Sequence, residues 1–351
     1  MRVLAIDVGM GTSDILLHDD SRRGENQTHL IVPSATQVVA AEIRAATARG
    51  ADVVFRGELM GGGPSASAAD KHLQAGLALY AEPSAARTFD DDLDAVIAMG
   101  VTLVAPEEAG ALVGRGATLV RAGDVRLDDL ERALRLLGET ATLDGLAIAV
   151  QDHGEAPGGV SDRVFRFQKL VEALGRSRRL RDQFYPAAAV PPFFTRLRAA
   201  AACLARDGVP VVVGDTGPSA LWGAALTSAE PCVVINYGNG HTLMAVVREE
   251  QVDGLFEHHT GRLDRERMAD YISRFLGGGL TSEEVLADGG HGVLPLTAPV
   301  DPGSLDVLVT GPNRARFLGL TPREVEASIH GDMMLTGCYG LLEGFRANAG
   351  H

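Results

Sequence analysis

Along the chain, short apolar runs alternate with longer stretches in which apolar residues recur every three or four positions. The short runs at residues 3–8, 52–55, 146–150, 209–213, 232–235 and 307–310 have the length and β-branched content of buried strands. Helical spacing marks residues 36–48, 127–137, 194–205, 219–226 and 265–275, with a further helical pattern over 68–80. Strand and helix alternate, which predicts an α/β fold. Residues 185–192, with three prolines, read as a loop inside that fold, because periodic patterns resume at once on either side.

One internal echo adds a more specific expectation. Ile6-Asp7-Val8-Gly9-Met10-Gly11-Thr12-Ser13-Asp14-Ile15 lies without a gap on Ile235-Asn236-Tyr237-Gly238-Asn239-Gly240-His241-Thr242-Leu243-Met244. Isoleucine and both glycines coincide, each set follows an apolar strand, and each leads into another apolar run. The pattern predicts a duplicated strand–turn–strand unit. A Gly-x-Gly turn leaves consecutive backbone N–H groups without side-chain cover, able to bind phosphate oxygens. The hydroxyls of Thr12, Ser13 and Thr242 would add donors. Asp7, at the strand end, is placed to hold Mg²⁺ beside those phosphates. The competing reading is a pair of ordinary tight hairpins. A dinucleotide fingerprint fails at its third glycine, where Asp14 and Leu243 stand, and no GxxxxGK[ST] motif occurs.

Composition narrows the function classes. The net charge of −14, from 46 acidic against 32 basic residues, argues against a nucleic-acid-coating protein. The short basic run at 176–181 reads as solvated surface. Cys203, Cys232 and Cys338 are far apart and form no CxxC-type spacing, so the sequence offers no zinc or iron–sulfur motif. Sparse cysteine, no signal-peptide pattern and no apolar run of membrane-spanning length predict a cytoplasmic protein that does not engage a membrane.

The residues of the first echo resemble the first phosphate loop of the actin, sugar-kinase and heat-shock-chaperone superfamily. Ile31-Val32-Pro33-Ser34 is similar to the strand-ending Pro-Ser of the large chaperones. Gly214-Asp215-Thr216-Gly217-Pro218-Ser219-Ala220-Leu221-Trp222-Gly223 resembles that superfamily's connecting helix. The second echo resembles its second phosphate loop, and Val307-Leu308-Val309-Thr310-Gly311-Pro312-Asn313 its adenosine strand. The resemblance implies two ribonuclease-H-like lobes, 1–228 with 329–351 and 229–328, around a cleft holding ATP and Mg²⁺. It would make Asp7 the metal-facing carboxylate and Asp215 the cleft carboxylate orienting a water or substrate hydroxyl. Gly9, Gly11, Thr12, Ser13, Asn236, Gly238, Gly240, Thr242 and Gly311 would contact the nucleotide. One departure matters: the second loop of the superfamily usually begins with Asp, and here Asn236 stands there. The pattern also resembles a family labelled as pyruvate formate-lyase activating enzymes. That label implies a radical SAM enzyme, which needs three clustered cysteines this sequence does not space together.

Polar clusters at strand ends are further candidates. Residues 56–65 could bind an anion at a helix start or form a flexible turn with Ser65 as N-cap. His153 beside Asp152 could be a general base or a strand-end histidine. His258 and His259 are candidates for a metal, for phosphate or substrate contact, or for structure, and His241 and His291 have no ranking context. Three functions follow: an ATP-dependent phosphotransferase on a small molecule, an ATPase switch regulating a partner protein, and a nucleotide-binding protein without turnover. The first is the leading reading. Neither substrate, partner nor oligomeric state is legible.

Overall fold

Both predicted glycine turns form hairpins, and in the same register. The computed structural model describes residues 1–140, 142–229 and 231–349. Its strands begin with β1 (Arg2–Val8), β2 (Thr12–Asp19) and β3 (Thr28–Pro33), then β4 (Val53–Gly57), β5 (Leu79–Ala81), β6 (Thr102–Leu103) and β7 (Thr118–Ala122). The chain continues through β8 (Gly145–Val150), β9 (Phe184–Pro186) and β10 (Val211–Gly214). It finishes with β11 (Cys232–Tyr237), β12 (His241–Arg248), β13 (Gln251–His259), β14 (Gly292–Leu294), β15 (Asp306–Thr310) and β16 (Glu324–Glu326). Val8 pairs with Ser13 across the first turn and Tyr237 with Thr242 across the second, the positions aligned by the echo.

The likeness extends beyond the hairpins. One six-stranded sheet has the order β3-β2-β1-β8-β10-β9, the other β14-β13-β12-β11-β15-β16. In each, three antiparallel strands in chain order are followed by two strands parallel to the first: β8 and β10 beyond β1, β15 and β16 beyond β11. Central strands buried on both faces explain the unbroken apolar runs of the sequence, such as Val3-Leu4-Ala5-Ile6. The third sheet, β6-β5-β4-β7, is all parallel and lies in sequence between β3 and β8. It packs its own apolar cluster, including Val39 and Ile43 of the Ala35–Ala48 helix and Phe55 of β4.

The two six-stranded sheets share a core. Val3, Ala147 and Val212 of the first and Val234, Ala245 and Leu308 of the second belong to one buried cluster with Trp222 and Tyr339. Those aromatics sit on two helices, Thr216–Ala225 and Thr336–Asn348, which approach backbone to backbone. A Cβ on Gly223 would overlap the Thr336 carbonyl, and one on Gly340 the Ser219 carbonyl. Only glycine permits that approach.

Two local expectations need correction. The proline-rich segment at 185–192 is partly a strand: Phe184–Pro186 pairs with β10, and Ala187–Ala189 forms a 3₁₀ turn. The tertiary edge of the sheet supplies this pairing, and Pro186 is tolerated because the strand is at an edge. The helical pattern over 68–80 ends at Gln74; Gly76, at φ +76°, turns the chain, and Leu79–Ala81 pairs with β4 as a strand.

Candidate functional site

Each turn is closed by its own backbone. Gly9 N–H donates to Thr12 O at 2.9 Å, and Gly238 N–H donates to His241 O at 3.0 Å. The turns also meet: a Cβ on Gly11 would lie 2.6 Å from Asn239 Nδ2 of the opposite hairpin. Between them is a cavity lined by Asp7, Gly9, Thr12, Asn236, Gly238, Gly240 and Gly311 among others. The first residues of both crossing helices, Thr216, Gly217, Thr336 and Gly337, complete the wall. Helix N-termini carry partial positive charge, which suits an anionic ligand.

Of the expected nucleotide contacts, Gly11, Ser13 and Thr242 lie outside this lining. Gly11 packs on Asn239, Ser13 is buried within its hairpin, and the Thr242 hydroxyl bonds that of Thr260 at 3.0 Å. Gly311 lines the cavity, but its glycine identity answers to protein packing. It has φ +93°, and a Cβ would come within 2.6 Å of Tyr237 O and Asn236 Oδ1.

The carboxylates are arranged unevenly. Asp7 Oδ1 and Asp14 Oδ1 are buried without a hydrogen-bond partner. Burial, with repulsion from Asp14 and Asp215, raises the Asp7 pKa well above the usual carboxylate range. Burial also pushes Asp14 up to about 7, despite a hydrogen bond from Thr12. Unpartnered carboxylate oxygens are the donor type a hard cation takes, and one or two of them with waters and phosphate are compatible with Mg²⁺.

Asp215 differs from expectation. Its Oδ1 accepts from Gly217 N at 2.9 Å and Arg166 Nη2 at 3.0 Å, its Oδ2 from Asp152 N at 3.1 Å and Arg166 Nη1 at 2.6 Å. Both oxygens are committed, so in this arrangement Asp215 is a helix cap and ion-pair partner and not an open cleft base. Its partner Arg166 escaped sequence reasoning. Arg166 is buried, and its Nε also donates to Glu257 Oε1 at 3.0 Å on β13 of the second sheet. Burial alone lowers an arginine pKa, but Asp215 and Glu257 outweigh it and hold the charge firmly. Glu257 likewise titrates well below its usual range, because Arg166 and a hydrogen bond from His241 overcome its burial. The available signal was an arginine on a helix's apolar stripe, in line with Leu170 and Ala173 of the Asp162–Arg176 helix.

A second cavity of roughly 580 Å³ adjoins the first, sharing Gly9, Met10, Gln151, Thr216, Gly240 and His241. The Gly61–Gly63 stretch, Arg87, Asp91 and His153 also line it. Ser65 is not an N-cap there; Gly63 takes that position and the Ser65 hydroxyl donates back to Gly62 O at 2.8 Å. Asp152 and His153 diverge, as strand neighbours do. Asp152 accepts from Gly154 N and Leu197 N, whereas the His153 ring meets His241 at 5.4 Å and His291 at 6.1 Å between centroids. His258 and His259 part as well. His258 Nε2 lies 3.1 Å from Asp288 Oδ2, while the His259 ring packs against His241 and His291.

The architecture and this cleft define a mixed α/β protein with two similarly ordered sheets meeting at paired glycine turns. The model of a family described as "Putative pyruvate format-lyase activating enzyme (DUF1786)" matches residues 60–316, and the chain belongs to that family. The chemistry in that description is not supported by the cysteines. Cys203 lies on the Thr195–Leu204 helix, Cys232 opens β11 and Cys338 lies on the Thr336–Asn348 helix; among the described residues they form no ligand cluster. No curated protein matches the chain. Among solved structures, the ethanolamine utilization protein EutJ from Carboxydothermus hydrogenoformans aligns over 97% of this chain and 89% of its own at 12% identity, with a TM-score of 0.33. An exopolyphosphatase-like protein aligns over 88% of this chain and 65% of its own at 10% identity, TM-score 0.27. Likeness this loose carries no argument. Among the described residues, no helix is long and apolar enough to cross a membrane.

Proposed function

We propose that this protein binds Mg-ATP between its paired glycine turns and transfers a phosphoryl group to a small molecule held in the adjoining cavity. The observation that carries the reading is the meeting of two distant, equivalent hairpins around one cavity lined by Asp7, whose buried Oδ1 has no hydrogen-bond partner. The repeated strand order supports two ribonuclease-H-like lobes of an actin-like ATPase, 1–228 with 329–351 and 229–328, with the third sheet an insertion in the first.

In this reading the N–H groups of both turns and the two helix N-termini cradle the phosphates, and Thr12 adds a hydroxyl. Asp7, with Asp14 behind it, would hold Mg²⁺, which supplies neutralisation of phosphate charge. With Asp215 committed to Arg166, the proton of an acceptor hydroxyl needs another taker. Asp91 lines the larger cavity, and burial, with repulsion from Glu155 and other acids, raises it to about 6, suited to a general base near neutrality.

A second reading, an ATPase switch acting on a partner protein, draws on Arg166, which ties both sheets together at the cleft and would report a change in their separation. ATP turnover by the purified protein, with and without a metabolite panel, separates the readings. Turnover dependent on one metabolite, lost in Asp91→Asn with nucleotide binding intact, supports transfer. Slow basal hydrolysis indifferent to every metabolite favours the switch. Binding without turnover, with hydrolysis appearing in Asn236→Asp, would assign the block to the missing carboxylate. Failure to bind Mg-ATP at all overturns the reading.

A further inference from the structure

Three histidines from separate parts of the chain converge beside the cleft. His153 follows β8, His241 opens β12 and His291 precedes β14, yet each offers a ring nitrogen within 4.8 Å of those of the others. His291 is 1% exposed, and neither of its ring nitrogens has a hydrogen-bond partner. A buried imidazole with both nitrogens unsatisfied is costly, because each has given up its hydrogen bond to water without replacement. Such a residue calls for a ligand that the protein itself does not supply. His241 Nδ1 lies 2.8 Å from Glu257 Oε1 and also meets Gln151 Nε2, so Nε2 is the ring nitrogen left to take a metal. Arg166 Nε donates to the same Glu257 oxygen at 3.0 Å.

We propose that His153, His241 and His291 form a binding site for a first-row divalent cation, with Zn²⁺ the best fit, at the boundary of the two cavities. Three neutral imidazoles with one remaining position are a donor set that suits zinc and not Mg²⁺. The fourth ligand comes from a water or acceptor oxygen entering through the cavity that His153 and His241 line. The site is separate from the Asp7 pocket in donor chemistry: nitrogen for a borderline metal here, oxygen for a hard one there.

The test uses metal alone and no nucleotide, so its outcome is independent of the phosphotransfer reading. Chelator-stripped full-length protein is dialysed against Zn²⁺ and its metal content measured; Co²⁺ substitution reports the coordination by its visible d–d bands. Expected is one Zn²⁺ per chain with Kd below about 10 µM, and a Co²⁺ spectrum of a nitrogen-rich site. His153→Gln and His291→Ala are each expected to weaken binding by about 100-fold or more, above the cost of losing an outer partner. His153→Gln, at a cavity-lining position, decides the matter if the buried His291→Ala does not fold. A wild-type Kd weaker than about 10 µM overturns the proposal, as does stoichiometric zinc retained by a folded His153→Gln variant.

Discussion

Replacing Arg166 by methionine removes a cation that two buried carboxylates share. In the native protein its guanidinium gives two bonds to Asp215, one to Glu257 Oε1 and one to the Asp152 carbonyl, at 2.6–3.0 Å. Methionine fills much of the volume but leaves Asp215 and Glu257 facing each other's charge in a site already holding Asp7. Removing one partner from a buried ion pair typically costs about 3–5 kcal/mol, and that is the expected loss at pH 7. The cost should depend on pH with a defined sign. Glu257 is held below its usual pKa in the native fold, so its contribution is present above the unfolded value of about 4.3 and is lost as pH falls through the lower folded value. Without Arg166, the largest influence opposing burial is gone and the His241 hydrogen bond only partly offsets it, so that pKa rises and the variant is penalised increasingly as pH rises above about 4.3. The stability gap should therefore widen from pH 4.5 to pH 7.5. Urea unfolding followed by the fluorescence of Trp222, the sole tryptophan and buried in the shared core, measures it directly. Adding Asp215→Asn and Glu257→Gln to Arg166→Met should recover most of the loss. A gap under about 1 kcal/mol at pH 7, or one equal at both pH values, would refute the claim that Arg166 neutralises this pair.

Other outcomes are specific too. Asp7→Asn should stabilise the metal-free protein by about 1–3 kcal/mol at pH 7, since its raised pKa penalises the fold progressively above pH ~4. The same change should weaken Mg-ATP binding at least ~10-fold; melting curves and calorimetry check both, and a destabilised variant with intact Mg-ATP binding contradicts the assignment. Gly223→Ala should cost about 3 kcal/mol or prevent folding, because its methyl meets the Thr336 carbonyl, which has no free rotor to move aside. Gly110→Ala, on the exposed face of the Pro106–Gly114 helix with open space around it, should instead stabilise by up to about 1 kcal/mol. Equal effects of the two alanines in denaturant titrations would undo the packing argument.

What the sequence determined by itself was local and repetitive. Apolar runs such as Val3–Ile6 and Val233–Ile235 are strands because residues buried on both faces leave no room for polar alternation. The paired Gly-x-Gly turns were visible because a tight hairpin restricts side chains at fixed offsets, and those offsets recur 229 positions apart with identical pairing. The crossing of the Thr216–Ala225 and Thr336–Asn348 helices was half visible: Gly223 lay in the segment read as one helix, while Gly340 on the other went unread. Charge partnership was decided only in three dimensions. Asp215 looked available until folding brought Arg166 onto both of its oxygens, and the alternatives open for His258 and His259 were narrowed when β13 and its neighbours sent one to Asp288 and the other toward His241. His153, His241 and His291 share no motif because each comes from a different strand end. Convergence of that kind depends on which strands pair and in what order, and no local spacing in the chain encodes it.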